Sequence, residues 1–305
     1  MLINTFQHIA GIGPRTEQLL WAYGIEDWQS FLSCTNDPRI DSRQFQHIVS
    51  QQERQQGCKE ARDITKRSPG VWCDVQESLR RLQAGDAAYF HWLLPSRERW
   101  RLYREFRDQT AFLDIETTGM ADDGSDITVV GLYDGRSYRG FIKGRDMHLL
   151  PVALARYKLI VTYNGASFDL PFIQSRLGLI FKNHAHIDLR YPIARLGYEG
   201  GLKGIESQLS IQRSPGIAML NGQDAVTLWY EHMNGNIGAL PTLIRYNAED
   251  VLSLPDLADL VYNTLSRDLP IGVGPLQPIS RPSLNLPYDV QLCKWVKAGR
   301  WLKEY

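Results

Sequence analysis

Asp114 and Glu116 stand two residues apart at the end of a short apolar run that begins at Ala111. Side chains of a strand alternate between faces, so both carboxylates point one way while Ile115 points into the opposite layer. Two acids side by side on a sheet repel one another, which costs stability unless a cation sits between them. Asp169 follows a second buried-type run and the turn-forming pair Asn164-Gly165. Pro171, just behind it, fits only in the first turn of a helix, so Asp169 is expected at or near a helix start. Tyr246 and Asp250 are four residues apart in a helical stretch and share one face of it. Glu249 is displaced around that helix and is expected to face solvent.

Hydrolysis of a phosphodiester needs charge neutralised on the phosphate, a hydroxide generated and the departing 3′ oxygen stabilised. Two divalent cations about 4 Å apart can do all three. Hard ions such as Mg²⁺ or Mn²⁺ want oxygen ligands, and four carboxylates from separate elements supply them. A tyrosine hydroxyl nearby can position or deprotonate the attacking water. Taken singly, each residue has a plainer reading. The Asp114/Glu116 pair suits a solvent-facing sheet edge, Asp169 a helix cap, Tyr246 a core contact and Asp250 a surface charge.

Taken together and in order, these residues resemble the motifs of the DEDD exonuclease superfamily: Asp114-x-Glu116 in a DIETTG string, Asp169 in YNGASFD, and Asp250 in YNAED. The likeness covers roughly residues 108 to 265 and implies that Asp114, Glu116, Asp169 and Asp250 ligate two divalent cations, Mg²⁺ or Mn²⁺. The superfamily has two branches, marked by a histidine five residues before the last aspartate or a tyrosine four before it. Arg245 and Tyr246 fill those positions here. The chain is thus similar to the tyrosine branch, which implies that Tyr246 orients the nucleophilic water. The stretch His186 to Gln208, with Leu202-Lys203-Gly204-Ile205-Glu206, is similar to the linking region of the YprB-type ribonuclease-H-like proteins.

The resemblance implies a metal-dependent 3′–5′ exonuclease acting on DNA or RNA, with single-stranded 3′ ends as its partner. Asn164 and Phe168 flank the acids and are candidates for contact with the terminal nucleotide, Phe168 by stacking. Turn former and core aromatic are their equal alternatives. Asp188 reads as a structural aspartate or as a support behind the ligands, and Asp122, Asp123 and Asp126 as a solvated loop. Two other functions fit the same fold: a catalytically inactive nucleic-acid-binding module, and an endonuclease on structured nucleic acid.

The elements that must carry these residues follow from the apolar pattern. Ala111 to Ile115, Ile127 to Tyr133 and Ser137 to Ile142 read as strands, the last two joined by the hairpin signal Asp134-Gly135. A helical stretch (Met147 to Arg156), a strand (Lys158 to Tyr163), a helix (Phe168 to Leu177) and a strand (His186 to Leu189) follow, and Tyr191 to Leu265 is mostly helical. The expected class is α/β, a mixed sheet flanked by helices and preceded by a small helical N-terminal domain, and the resemblance implies that the sheet is ribonuclease-H-like. The expected divisions are 1–105 helical, 106–268 the sheet domain, and 269–305 an irregular tail ending in a short helix.

Within the first division, Phe6 to Thr16 resembles a helix-hairpin-helix element. Gly11 and Gly13 allow a tight turn, Pro14 suits a first helical position, and outward amides there bind phosphate oxygens without reading bases. Arg15 adds a candidate phosphate contact, and the alternative is a small packing unit. Arg67-Ser68-Pro69-Gly70 reads as a turn, and Ser96 as the cap of a helix running to Phe106.

Of the 305 residues, 43% are hydrophobic and 22% charged, with formal net charge zero, an ordinary soluble composition able to build a core. A neutral total argues against bulk electrostatic adhesion to nucleic acid but not against a local basic groove. No apolar run of about 18 residues is present to span a bilayer, so no membrane partner is expected. Residues 1–6 lack the pattern of a signal peptide, and a cytoplasmic protein is the expectation. The four cysteines contain no CxxC pair and read as free thiols. None of the seven histidines has ligand-like spacing for zinc.

Overall fold

A computed structural model describes residues 1–34, 60–119 and 124–301, and the chain divides into two compact units. The first comprises Met1–Phe106 with Tyr262–Leu276. Its helices among the described residues include α1 (Pro14–Ala22), α2 (Trp28–Cys34), α3 (Glu60–Gln83), α4 (Ala87–Leu93) and α5 (Tyr103–Phe106). They enclose an aromatic core in which Trp28 stacks on Phe90 at 5.7 Å and His8 packs against both rings. Beneath this lies a buried polar knot. Glu17 accepts from the Thr5 hydroxyl, the Phe6 amide and the Gln7 side chain, and Arg101 pairs with both Glu17 and Glu98. A buried carboxylate is tolerable only with such full satisfaction.

Two local expectations change in this unit. α3 runs through Arg67–Gly70, whose sequence signals a turn, and buries Val71 and Val75 beyond it. An apolar helix face outweighs the hydrogen bond that Pro69 forfeits. Ser96 is the first residue of a 3₁₀ segment, Ser96–Leu102, whose cap position falls to Pro95. The tighter winding eclipses residues three apart, which brings Glu98 and Arg101 together at 2.8 Å.

The second unit comprises Arg107–Val261 with Gln277–Tyr305. Its five strands are β1 (Thr110–Thr117), β2 (Ile127–Tyr133), β3 (Tyr138–Ile142), β4 (Leu159–Thr162) and β5 (Ala185–Asp188), ordered β3-β2-β1-β4-β5. β2 is antiparallel to its neighbours β1 and β3, and β1, β4 and β5 run parallel. The helices are α6 (Leu150–Leu154), α7 (Asp169–Leu177), α8 (Arg190–Arg195), α9 (Leu202–Gln208), α10 (Pro215–Ala218), α11 (Gly222–Met233), α12 (Ala239–Arg267, to Val261 in this unit) and α13 (Val290–Trp301).

Alternation along β1 divides the core as the sequence suggests. Ala111, Leu113 and Ile115 face one cluster with residues of α6 and α7, including Leu150, Phe172 and Ile173. The opposite cluster joins Val129 and Ile142 to α11, α12 and α13 through Leu228, Leu243 and Val296. The terminal helix is thus part of this core. No helix or strand occurs from 269 to 289. Within that stretch, side chains hold the backbone instead: Asp259 pairs with Arg107 at 2.7 Å and accepts from the Ile279 amide, and Arg245 donates to the carbonyls of Leu284 and Leu286. Among the described residues no helix is long and apolar enough to cross a membrane.

Candidate active site

Asp114 and Glu116 leave β1 on the face covered by α12, and Asp250 of α12 meets them there. Carboxylate oxygens of Asp114, Glu116 and Asp250 lie within 4.8 Å of one another. Asp169 comes from the start of α7, and its Oδ1 accepts from the Ile115 amide at 3.1 Å, between the two β1 acids along the chain. The turn before α7 is sterically exacting. Asn164 adopts φ +65°, and a Cβ at Gly165 would stand 2.3 Å from the Thr162 hydroxyl. Only glycine lets the chain fold back tightly enough to aim α7 at β1. Tyr246, four residues before Asp250, is buried in the α12 face of the core, and Lys203 of α9 lies 4.3 Å over its ring.

Asn247 holds this arrangement together. Its Nδ2 donates to Asp114 Oδ2 at 3.0 Å and to Glu116 Oε1 at 3.3 Å, while its Oδ1 accepts from the Tyr138 hydroxyl at 2.9 Å. The amide reaches the acids because Gly131, opposite Asp114 on β2, has no side chain: a Cβ there would lie 1.9 Å from Asn247 Oδ1. α12 thus packs against bare backbone at the one point where the site needs it.

Burial without a cation is costly for these acids. Desolvation, reinforced by Asp169, Asp250 and Glu116, pushes the Asp114 carboxyl well above the usual carboxylate range. Burial and then Asp250 do the same to Glu116. Burial raises Asp169 to about 7, against the pull of the amides of Asp169 and Ile115. The Tyr246 hydroxyl is driven far up, by burial first and by Asp250 next, so it stays protonated. Hard oxygen donors, closely spaced and holding protons they would readily exchange, fit divalent Mg²⁺ or Mn²⁺.

Two basic residues that sequence reasoning did not single out border the acids. Arg213 pairs with Asp250 at 2.5 Å and with Glu206, and Lys203 donates to the Leu220 carbonyl. No local pattern marks either one. Only the Leu202–Glu206 likeness passes near Lys203 and Glu206. Glu249 is corrected: it is buried, accepts from the Ser214 amide and pairs with Arg245 at 2.7 Å. Helix geometry gave its angle from Asp250, and the chain packed outside α12 determined that this side is covered.

The remaining candidates lie elsewhere. Asn164 is bonded through its amide to Asp188 and through its Oδ1 to Arg190, and it lines an open cavity of about 580 Å³ with Tyr163 and Tyr198. Asp188 also accepts from the Ala166 amide, so it braces the turn. Phe168 is half-buried and packs on Phe172, on the core layer opposite α12. Gly11 (φ +84°), Gly13 and Arg15 belong to the first unit, where Gly13 precedes α1 with no side-chain cap and Arg15 is exposed. Asp122 and Asp123 lie outside the described residues, as does Cys58. Asp126 pairs with Lys143 at 2.7 Å, and Cys73 and Cys293 are free thiols.

Residues 111–262 match the family model of the RNase_H superfamily. With the strand order β3-β2-β1-β4-β5 and helices on both faces, the fold of this unit is ribonuclease-H-like. A nuclease centre is the activity that this fold and the acidic cluster suggest, with nucleic acid as substrate. No curated protein matches the chain.

Proposed function

We propose that the chain is a divalent-ion-dependent 3′–5′ exonuclease of the DEDD type, tyrosine branch, acting on single-stranded DNA or RNA ends. The observation that carries this reading is the meeting of Asp114, Glu116 and Asp250 within 4.8 Å, with Asp169 bonded to the same strand. Bound divalent cations supply charge neutralisation, an activated water and support for the departing 3′ oxygen. Asp114, Glu116 and Asp250 would hold one ion, and Asp169 with Asp114 a second. Asn247 orients Asp114 and Glu116 through its amide. Tyr246 is assigned to orienting the attacking water by a hydrogen bond. Asn164, which lines the open cavity, is assigned to the terminal nucleotide, and Phe168, packed on Phe172 in the layer opposite α12, to the core.

In the first unit, Gly11, Gly13 and Arg15 are assigned to the nucleic-acid backbone. An uncapped helix start with an exposed arginine behind it supports that role. Linear and circular single strands test the end requirement. Linear strands are expected to be lost, and to survive in Asp114→Asn, while covalently closed circles persist in both. Cleavage of circles at a comparable rate would replace it with an endonuclease.

A further inference from the structure

The cation nearest the acids belongs to the protein. Arg213 lies between α9 and α10 with its side chain only 6% exposed. It grips Glu206 through Nε and Nη2 at 2.5 and 2.7 Å, and its Nη1 stands 2.5 Å from Asp250 Oδ1. The next residue is fastened to α12: the Ser214 amide donates to Glu249, and the Ser214 hydroxyl accepts from Arg245. Glu249 and Asp250, adjacent on α12, therefore hold Ser214 and Arg213, adjacent on the link. Such a guanidinium is built into the site rather than draped over it.

Its charge has a consequence for any ion that enters. Without a metal, Arg213 offsets the mutual repulsion of Asp114, Glu116, Asp169 and Asp250. With a metal, the same charge stands beside the ion and repels it, while engaging an oxygen of a ligand. Whatever stabilises the ion-free state over the ion-bound one lowers ion affinity by that same difference. Resting on the reading of these acids as a divalent-ion centre, we propose that Arg213 is a resident counter-cation. It occupies Asp250 when no ion is bound, competes with the ion for that carboxylate, and so sets how readily the ion enters and leaves.

Calorimetric titration of Mn²⁺ into the metal-free full chain tests this, with wild type, Arg213→Gln, Arg213→Lys and Asp114→Asn compared and each melted with and without Mn²⁺. Arg213→Gln is expected to bind Mn²⁺ about tenfold more tightly or better. It is also expected to melt lower without the ion and to gain more from it than wild type. Arg213→Lys, which keeps the charge but not the fork, is expected to stay within about threefold of wild type. A residue that only packs would lower metal-free stability and leave Mn²⁺ affinity unchanged or weaker. That result overturns the proposal, as does an Arg213→Gln chain that stays unfolded in Mn²⁺. Binding that Asp114→Asn abolishes but Arg213→Gln fails to tighten sinks this proposal alone. No Mn²⁺ binding by wild type or either Arg213 variant removes the divalent-ion reading and this proposal together.

Discussion

Replacing Asn247 by alanine would strip Asp114 and Glu116 of the amide that spans them and leave the buried Tyr138 hydroxyl without its 2.9 Å acceptor. Groups that orient metal ligands from behind typically contribute 10–100-fold to ion affinity or activity. Asn247→Ala is expected to lose about that factor in Mn²⁺ affinity by calorimetry, and an unchanged affinity would show the amide to be mere packing. The acids themselves predict a pH response. Asp114 and Glu116 are raised well above their ordinary values and Asp169 to about 7, burial being the first cause in each. A carboxyl raised on folding is protonated in the folded state while already ionised in the unfolded one. Its contribution to stability is therefore present at low pH and lost as pH rises from about 4 through about 7. Melting of the metal-free second unit should move to progressively lower temperature across that window, and saturating Mg²⁺ or Mn²⁺ should flatten the slope. A metal-free melting temperature that rises with pH at the β1 site would contradict the assignment.

Elements bring the acids together, and Gly131 is where β2 and α12 constrain one another. A methyl group there meets Asn247 Oδ1 at 1.9 Å and Val251 at 2.9 Å. Gly131→Ala must push α12 off the sheet, at a cost of about 1–3 kcal/mol typical of overpacking, and carry Asp250 and Asn247 with it. Lower chemical-denaturation stability together with weakened Mn²⁺ binding is expected, and loss of stability alone would separate packing from the site. Much of this unit could be read from the chain. The Asp134-Gly135 hairpin, the face shared by Asp114 and Glu116, and Tyr246 one turn before Asp250 are properties of strand and helix periodicity, and the structure has each of them. What could not be read depends on which surface packs where. Nothing local distinguishes Gly131 from any strand glycine, Arg213 from any loop arginine or Glu249 from a solvated helix acid. Their roles arise only once the link after α9 lies against α12. The helix through Pro69 and the 3₁₀ winding at Ser96 were obscured for the same reason, since tertiary burial overrode local signals.

At the scale of the whole molecule, the two units carry titrations of opposite sign. His8 in the first unit is buried against Trp28 and Phe90 and bonded to Ser78, and desolvation lowers it to about 3. A histidine lowered on folding stays neutral in the folded state while the unfolded chain is charged. Its contribution is therefore held above about pH 6.5 and lost as pH falls toward 3. Peptide-resolved hydrogen exchange, corrected for intrinsic rates, should show residues 1–34 better protected at pH 7 than at pH 5. In the same metal-free sample, β1 should show the reverse. Uniform behaviour in both units would refute the two assignments together. The chain's zero formal charge makes any nucleic-acid affinity a matter of local groups. Arg15→Glu is accordingly expected to weaken single-strand binding at low salt while leaving Mn²⁺ affinity at the acids unchanged, and equal binding would return the N-terminal hairpin to a packing role. The most direct test of the account uses single-stranded DNA and RNA oligomers labelled separately at each end, incubated with Mg²⁺ or Mn²⁺ beside an Asp114→Asn control. A metal-dependent ladder that shortens from the 3′ end and vanishes in the variant is expected. Cleavage that survives Asp114→Asn, or that starts from the 5′ end, would contradict it.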